Sequence, residues 1–184
     1  MTHHRRRNNG IDPSKINETV ELSPAQRYAA FKQTQAKQRT VAAEFARSMP
    51  FELDEFQMQA NDALEAGDNV LVAAPTGAGK TVAADFAIYL AQTRNVKAFY
   101  TTPIKALSNQ KYHDLVDQYG TDKVGLLTGD TSINSEADIV VMTTEVLRNM
   151  LYEHSVTLEA LRYVILDEVH YLAAVSYTHL RAHE

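Results

Sequence analysis

The sequence has 184 residues, 45% of them hydrophobic, no cysteine and a net charge of -5, which allows one globular domain with a core plus extensions and excludes two full-sized domains. Without cysteine there is neither a disulfide framework nor a thiolate metal site, which suits a reducing cytosol. No apolar run approaches the roughly 18 residues of a membrane span, and Arg5, Arg6 and Arg7 are followed by polar residues instead of a signal core, so a soluble, cytoplasmic protein without a membrane partner is expected.

Charge is unevenly distributed. Residues 1–50 hold nine Lys and Arg against four acids, and the remainder nine against nineteen. The basic front reads as a solvated arm, with a tether to phosphate backbone as the sharper alternative. Residues 1–22 mix His, Arg, Asn, Gly and Pro with few apolar anchors, the pattern of a disordered arm. Ser23 before Pro24 is an N-cap signal, and Met49-Pro50 is a stop, so one helix of about 24 residues is predicted over 23–50. Asp54 opens a second helix with Gln57 at capping-box spacing. Phe56, Ala60, Ala63 and Leu64 share its apolar face, and Gly67 ends it.

Short β-rich runs then alternate with helical patterns: Val70 to Ala74, Val96 to Thr101, Val124 to Leu127, Ile139 to Met142 and Tyr163 to Leu166, with Val82, Phe86, Tyr89 and Leu90 in register on one intervening helix. Strands apolar at consecutive positions expect cover on both faces. The fold class is therefore α/β, a parallel sheet with flanking helices.

Ala74-Pro75-Thr76-Gly77-Ala78-Gly79-Lys80-Thr81 lies between the first predicted strand and a helix, the setting of a phosphate loop. Thr76, Gly77, Ala78 and Gly79 would wrap backbone N–H groups around phosphates at a helix N-terminus. Lys80 would reach the β and γ phosphates, and the Thr81 hydroxyl would ligate Mg²⁺. Ala74 stands where a glycine is usual. Tyr163 to Leu166 runs into Asp167-Glu168-Val169-His170, placing two carboxylates at the carboxyl end of a strand expected to be buried. Asp167 suits a Mg²⁺ ligand and Glu168 a base for an attacking water.

These motifs resemble superfamily 2 helicases. The Asp167-Glu168-Val169-His170 box is similar to that of the DEVH-box group related to exosome-associated RNA helicases, above all its actinobacterial members, over about residues 50–173. In that group alanine at position 74 is normal. The resemblance implies a RecA-like first lobe over 51–173, with ATP and Mg²⁺ as cofactors and Lys80, Asp167, Glu168 and His170 as catalytic residues. It makes Phe51 a stacking aromatic and Gln57 a reader of the adenine edge, alongside the capping role of Gln57. Thr101 to Lys111 is similar to motif Ia, Gly125 to Asp130 to motif Ib, and Met142 to Arg148 to the next strand-contacting motif. These imply nucleic-acid contacts at Thr102, Pro103, Lys105, Ser108, Thr128, Gly129, Thr143 and Thr144, with Thr143 also a candidate helix cap. RNA is the preferred partner and DNA the alternative, since phosphate-gripping loops do not themselves distinguish the sugar.

From about residue 174 the chain departs from the family pattern, and 174–184 reads as a non-native tail. His179 and His183 in it lack a third metal ligand. The resemblance further implies that a strand between those leading to Lys80 and Asp167, and a second lobe carrying arginine fingers, belong to an intact parent. That parent would be an ATP-dependent helicase of 3′ to 5′ polarity. The 184 residues alone would be inactive or a nucleotide-binding module without turnover.

Overall fold

The computed structural model describes residues 40–75, 77–153 and 155–169, and the single positions 23 and 32. The expected arm over 1–22, most of the helix predicted from Ser23, Thr76, His170 and the tail from 174 lie outside the described residues.

Helix α1 (Val41–Ser48) ends where Met49-Pro50 was expected to stop it. It does not continue an unbroken helix through position 40. The Val41 and Ala42 N–H groups donate to the two Glu65 carboxylate oxygens, at 3.0 and 2.8 Å, so this is a capped N-terminus whose first-turn donors meet an anion.

Helix α2 (Glu55–Ala66) has the predicted capping box at Asp54 and Gln57 and the predicted Gly67 cap, with φ +95°. Its buried stripe differs from expectation. Gln57, Ala60 and Asn61 are buried, with Leu64 partly buried beside them, so the inward face is turned by about one position from 56/60/63/64. Two amides thus sit where an apolar count would not place them.

In helix α3 (Thr81–Thr93), Val82, Phe86 and Leu90 are buried as predicted. They pack with Phe45 of α1, whose ring lies 5.2 Å from that of Phe86 and 5.3 Å from that of Tyr89.

The sheet contains β1 (Lys97–Thr102), β2 (Val124–Leu127), β3 (Ser132–Ile133), β4 (Ile139–Thr143) and β5 (Leu161–Leu166), in the order β3-β2-β4-β1-β5. The pairs β2–β4, β4–β1 and β1–β5 are parallel, as predicted. The two-residue β3 runs antiparallel to β2, so the sheet is mixed. Helix α4 (Lys105–Tyr119) and α3 cover one face through Ile88, Tyr100, Leu115, Val124, Ile139 and Val141. Helix α5 (Thr144–Tyr152) covers the other around Phe99, Val140, Met142 and Leu147. Alternation of Phe99 with Tyr100, and of Val140 with Val141, between the two clusters is the pleat at work: a strand covered on both sides has apolar residues at successive positions.

One strand expectation fails, and another holds as a strand without its expected burial, for one reason. Val70 to Ala74 forms no strand; Leu71 is 81% exposed. β5 is the outer strand, bonded to β1 alone, and its burial alternates instead of being complete, leaving Val164 and Leu166 exposed. A β-prone run needs a neighbour to accept and donate its ladder bonds. Neither segment has one on its open side among the described residues, and it is there that the family resemblance puts an intervening strand. No helix among the described residues is long and apolar enough to cross a membrane.

Candidate functional site

The carboxyl ends of the parallel strands collect most of the predicted site. Thr102 pairs in register with Thr143, and Thr101 with Leu166, so motif Ia, the Thr143-Thr144 segment and Asp167 emerge side by side. Helix α3 ends at Thr93 and β1 begins at Lys97. A helix packed back along that strand therefore starts, at Thr81, near the end of the sheet that carries Asp167.

A chain of side chains places it there independently. Asp85, one turn into α3, pairs with Lys111 of α4 at 2.9 Å. The Lys111 ammonium lies 4.9 Å from the centroid of the Tyr100 ring, and the Tyr100 hydroxyl donates to Asp167 Oδ2 at 2.7 Å. Burial first, and then the Asp167 carboxylate, push the Tyr100 hydroxyl far above the usual phenol range. It is accordingly a protonated donor at any physiological pH.

Gly77 and Gly79 have φ of +83° and +75°, values that side chains disfavour, and between them the Ala78 N–H donates to the Pro75 carbonyl at 3.2 Å. At Gly79 space is also short. A Cβ there would sit 2.5 Å from Gln57 Nε2, which donates to the Gly79 carbonyl at 3.0 Å. Gln57 Oε1 meanwhile accepts the Asp54 N–H at 2.9 Å. The buried Gln57 thus caps α2 and braces the Gly79 turn at once, keeping one N–H and one lone pair unused by these two bonds. Phe51 is 51% exposed, its ring open to stacking. Lys80 and Thr81 are exposed at the start of α3, and Ala78 is half-buried.

Past β5, the Asp167 N–H continues the ladder to the Thr101 carbonyl. Glu168 then adopts φ +53°, a left-handed conformation uncommon outside glycine. That turn brings the Glu168 N–H onto Asp167 Oδ1 at 2.8 Å. Each Asp167 oxygen therefore has one donor and keeps a lone pair. The Asp167 carboxylate and the Thr81 hydroxyl are both oxygen donors, the kind that suits Mg²⁺ carried in with phosphates. Thr81 and Asp167 would hold that ion.

The expected nucleic-acid residues also converge. Lys105 Nζ contacts both Asp130 carboxylate oxygens, at 2.7 and 2.6 Å, and the Thr128 hydroxyl donates to the same carboxylate at 3.1 Å. Those donors, Lys105 first, hold Asp130 below the usual carboxylate range. Thr144 Oγ1 donates to the Thr102 carbonyl at 3.1 Å. Thr102 and Ser108 are buried and hydrogen-bonded to each other at 2.7 Å, so, against expectation, neither offers its side chain or its backbone to a strand: they hold the turn between β1 and α4 in place. Pro103 is half-buried, Gly129 exposed, and Thr143 occupies the N-cap of α5 without a side-chain cap bond. Sequence reasoning missed the linking roles of Tyr100, Asp85 and Asp130. The one available signal was a tyrosine inside an otherwise buried strand, whose hydroxyl must find a partner.

The DEAD/DEAH box helicase family matches residues 54–182. This chain belongs to that family. Its helicase relatives include the Probable helicase HelY of Mycobacterium tuberculosis, 61% identical over 129 residues, covering 70% of this chain and 14% of the relative. The DExH-box ATP-dependent RNA helicase DExH11 of Arabidopsis thaliana is 50% identical over 129 residues, covering 70% of this chain and 9% of that protein. Among solved structures, the Mycobacterium smegmatis helicase Lhr bound to ssDNA and AMP-PNP superposes with a TM-score of 0.58 at 30% identity, covering 73% of this chain and 21% of that one. The RecA-like lobe expected from the motifs is the fold of this solved helicase over the matched region. The chain spans about 14% of the length of the mycobacterial relative.

Proposed function

We propose that the chain is the ATP-binding lobe of a cytoplasmic, ATP-dependent RNA helicase whose intact form couples hydrolysis to 3′ to 5′ translocation and unwinding. The observation that supports this reading is the Tyr100–Lys111–Asp85 chain linking Asp167 to the helix that begins at Thr81, at the end of the sheet that also carries the Lys105–Asp130–Thr128 cluster. Lys80 and the loop amides bind the phosphates, and Phe51 with Gln57 takes the adenine. Mg²⁺, when bound with ATP, supplies positive charge to the phosphate oxygens. Glu168 takes the proton from the attacking water. The preference for RNA rests on relatives named as RNA helicases. The ssDNA-bound Lhr structure favours DNA as a second reading. Steady-state ATP hydrolysis by the intact parent, measured with RNA and DNA strands of one sequence, separates the two. RNA should stimulate more strongly; equal or greater stimulation by DNA would transfer the assignment to DNA.

Adenine selection gives a second test. Gln57→Ala loses both the α2 cap and the brace on Gly79, lowering stability by about 1 kcal/mol, and should also weaken ATP relative to GTP. Melting temperature and the ATP-to-GTP affinity ratio are measured on the same preparation. A lowered melting temperature with an unchanged ratio would leave Gln57 as a cap and nothing more.

A further inference from the structure

Tyr100 combines two properties that the activity alone does not require. It is 2% exposed, in the middle of the sheet, yet its hydroxyl reaches the exposed carboxylate of Asp167, at 2.7 Å. Its ring is also held from outside. Lys111 lies against it at 4.9 Å and is fixed there by Asp85 at 2.9 Å, with side chains 16% and 31% exposed.

An aspartate at the end of an outer strand is otherwise free to turn about its two side-chain torsions. Here Oδ2 is fixed by Tyr100 and Oδ1 by the Glu168 N–H, so the carboxylate plane is set by two donors on opposite oxygens. Both donors are neutral, so they orient the group without cancelling the charge that a cation needs. A short O–H···O⁻ bond is among the stronger ones available. The partners that fix a ligating carboxylate typically matter 10–100-fold in metal affinity.

We propose that Tyr100 is the positioning residue of the Mg²⁺-binding carboxylate: it sets the orientation of Asp167 and, through the Lys111–Asp85 pair, ties it to the helix that follows the phosphate loop. The proposal rests on the reading of Asp167 as a Mg²⁺ ligand. The tie spans three elements. Asp85 stands four residues after Thr81 on α3, Lys111 on the helix that begins with motif Ia, and Tyr100 on the strand leading into that motif. Movement of the α4 helix relative to α3 would therefore reach the carboxylate through the Tyr100 ring.

Tyr100→Phe removes one oxygen and keeps the ring in the core. Equilibrium binding of a fluorescent ATP analogue to the intact parent is titrated with Mg²⁺ for the wild type, Tyr100→Phe, Lys111→Met, Asp167→Asn and the Tyr100→Phe/Asp167→Asn double variant, with melting temperatures recorded without metal or nucleotide. Tyr100→Phe should raise the half-saturating Mg²⁺ concentration about tenfold or more, with little change in metal-free melting. Lys111→Met, which removes the ammonium held against the ring and leaves the Tyr100 hydroxyl in place, should raise it less. Asp167→Asn should abolish the dependence on Mg²⁺, and adding Tyr100→Phe to it should change nothing further, the non-additivity expected of residues acting through one group. An unchanged Mg²⁺ requirement in Tyr100→Phe, beside a lost one in Asp167→Asn, would overturn the positioning role alone. A wild-type Mg²⁺ requirement in Asp167→Asn would overturn the ligand assignment beneath it. Should Tyr100→Phe prove unstable, an unaltered requirement in Lys111→Met also counts against the proposal.

Discussion

Lys80→Ala is expected to remove ATP turnover from the intact parent while leaving the fold intact. The lysine stands exposed at the N-cap position of α3, and its ammonium makes no ion pair among the described residues. Nothing in the folded lobe relies on that charge, so melting should change by no more than a surface substitution does, within about 0.5 kcal/mol. The loss falls on the nucleotide instead. A unit charge about 4 Å from a phosphate oxygen at a protein surface is worth about 4 kcal/mol, which corresponds to about a thousandfold in rate or affinity. Steady-state ATP hydrolysis and thermal melting of one preparation check both halves. Hydrolysis at the wild-type rate would remove the phosphate-loop assignment, whatever the melting curve shows.

Glu168→Gln should have the opposite profile, with ATP bound and turnover lost. The residue sits at φ +53°, which glutamine tolerates no worse than glutamate, so the turn and the N–H bond onto Asp167 Oδ1 survive. Only proton acceptance disappears. A positioned general base contributes about 10²–10⁴ in rate, and the variant should slow hydrolysis by that factor with ATP affinity nearly unchanged. Single-turnover hydrolysis beside equilibrium binding makes the distinction. Normal turnover would show that another group takes the proton, and weakened binding without slowed chemistry would give Glu168 a ligand role instead.

What the sequence revealed was local. The Asp54–Gln57 box and the Gly67 stop lie within a few residues of the helix they bound, and the runs at 97–102, 124–127, 139–143 and 161–166 carry their β preference in their own side chains. What it concealed depends on distant partners. Val70 to Ala74 has the composition of a strand, but ladder bonds are supplied by another segment, and composition says nothing of whether that segment is in place. The apolar run at Tyr163 to Leu166 likewise cannot disclose that, among the described residues, Tyr163 and Ile165 pack against the core while Val164 and Leu166 stay exposed. Tyr100 and Asp167 are 67 residues apart and meet only because β5 pairs with β1 in the register that sets Thr101 against Leu166. On α2, Asn61 is buried with neither amide atom bonded among the described residues, and no periodicity argument would have put it there.

The claim most exposed to test is that the Gly79-Lys80-Thr81 loop and Asp167 form one site for Mg²⁺ and ATP. Equilibrium binding of ATP to the intact parent, measured with and without Mg²⁺ on the wild type and Lys80→Ala side by side, addresses it directly. The wild type should bind ATP with an affinity that depends on Mg²⁺, and Lys80→Ala should lose that binding at both metal concentrations. Equal affinity in the two proteins, or wild-type binding indifferent to Mg²⁺, would contradict it.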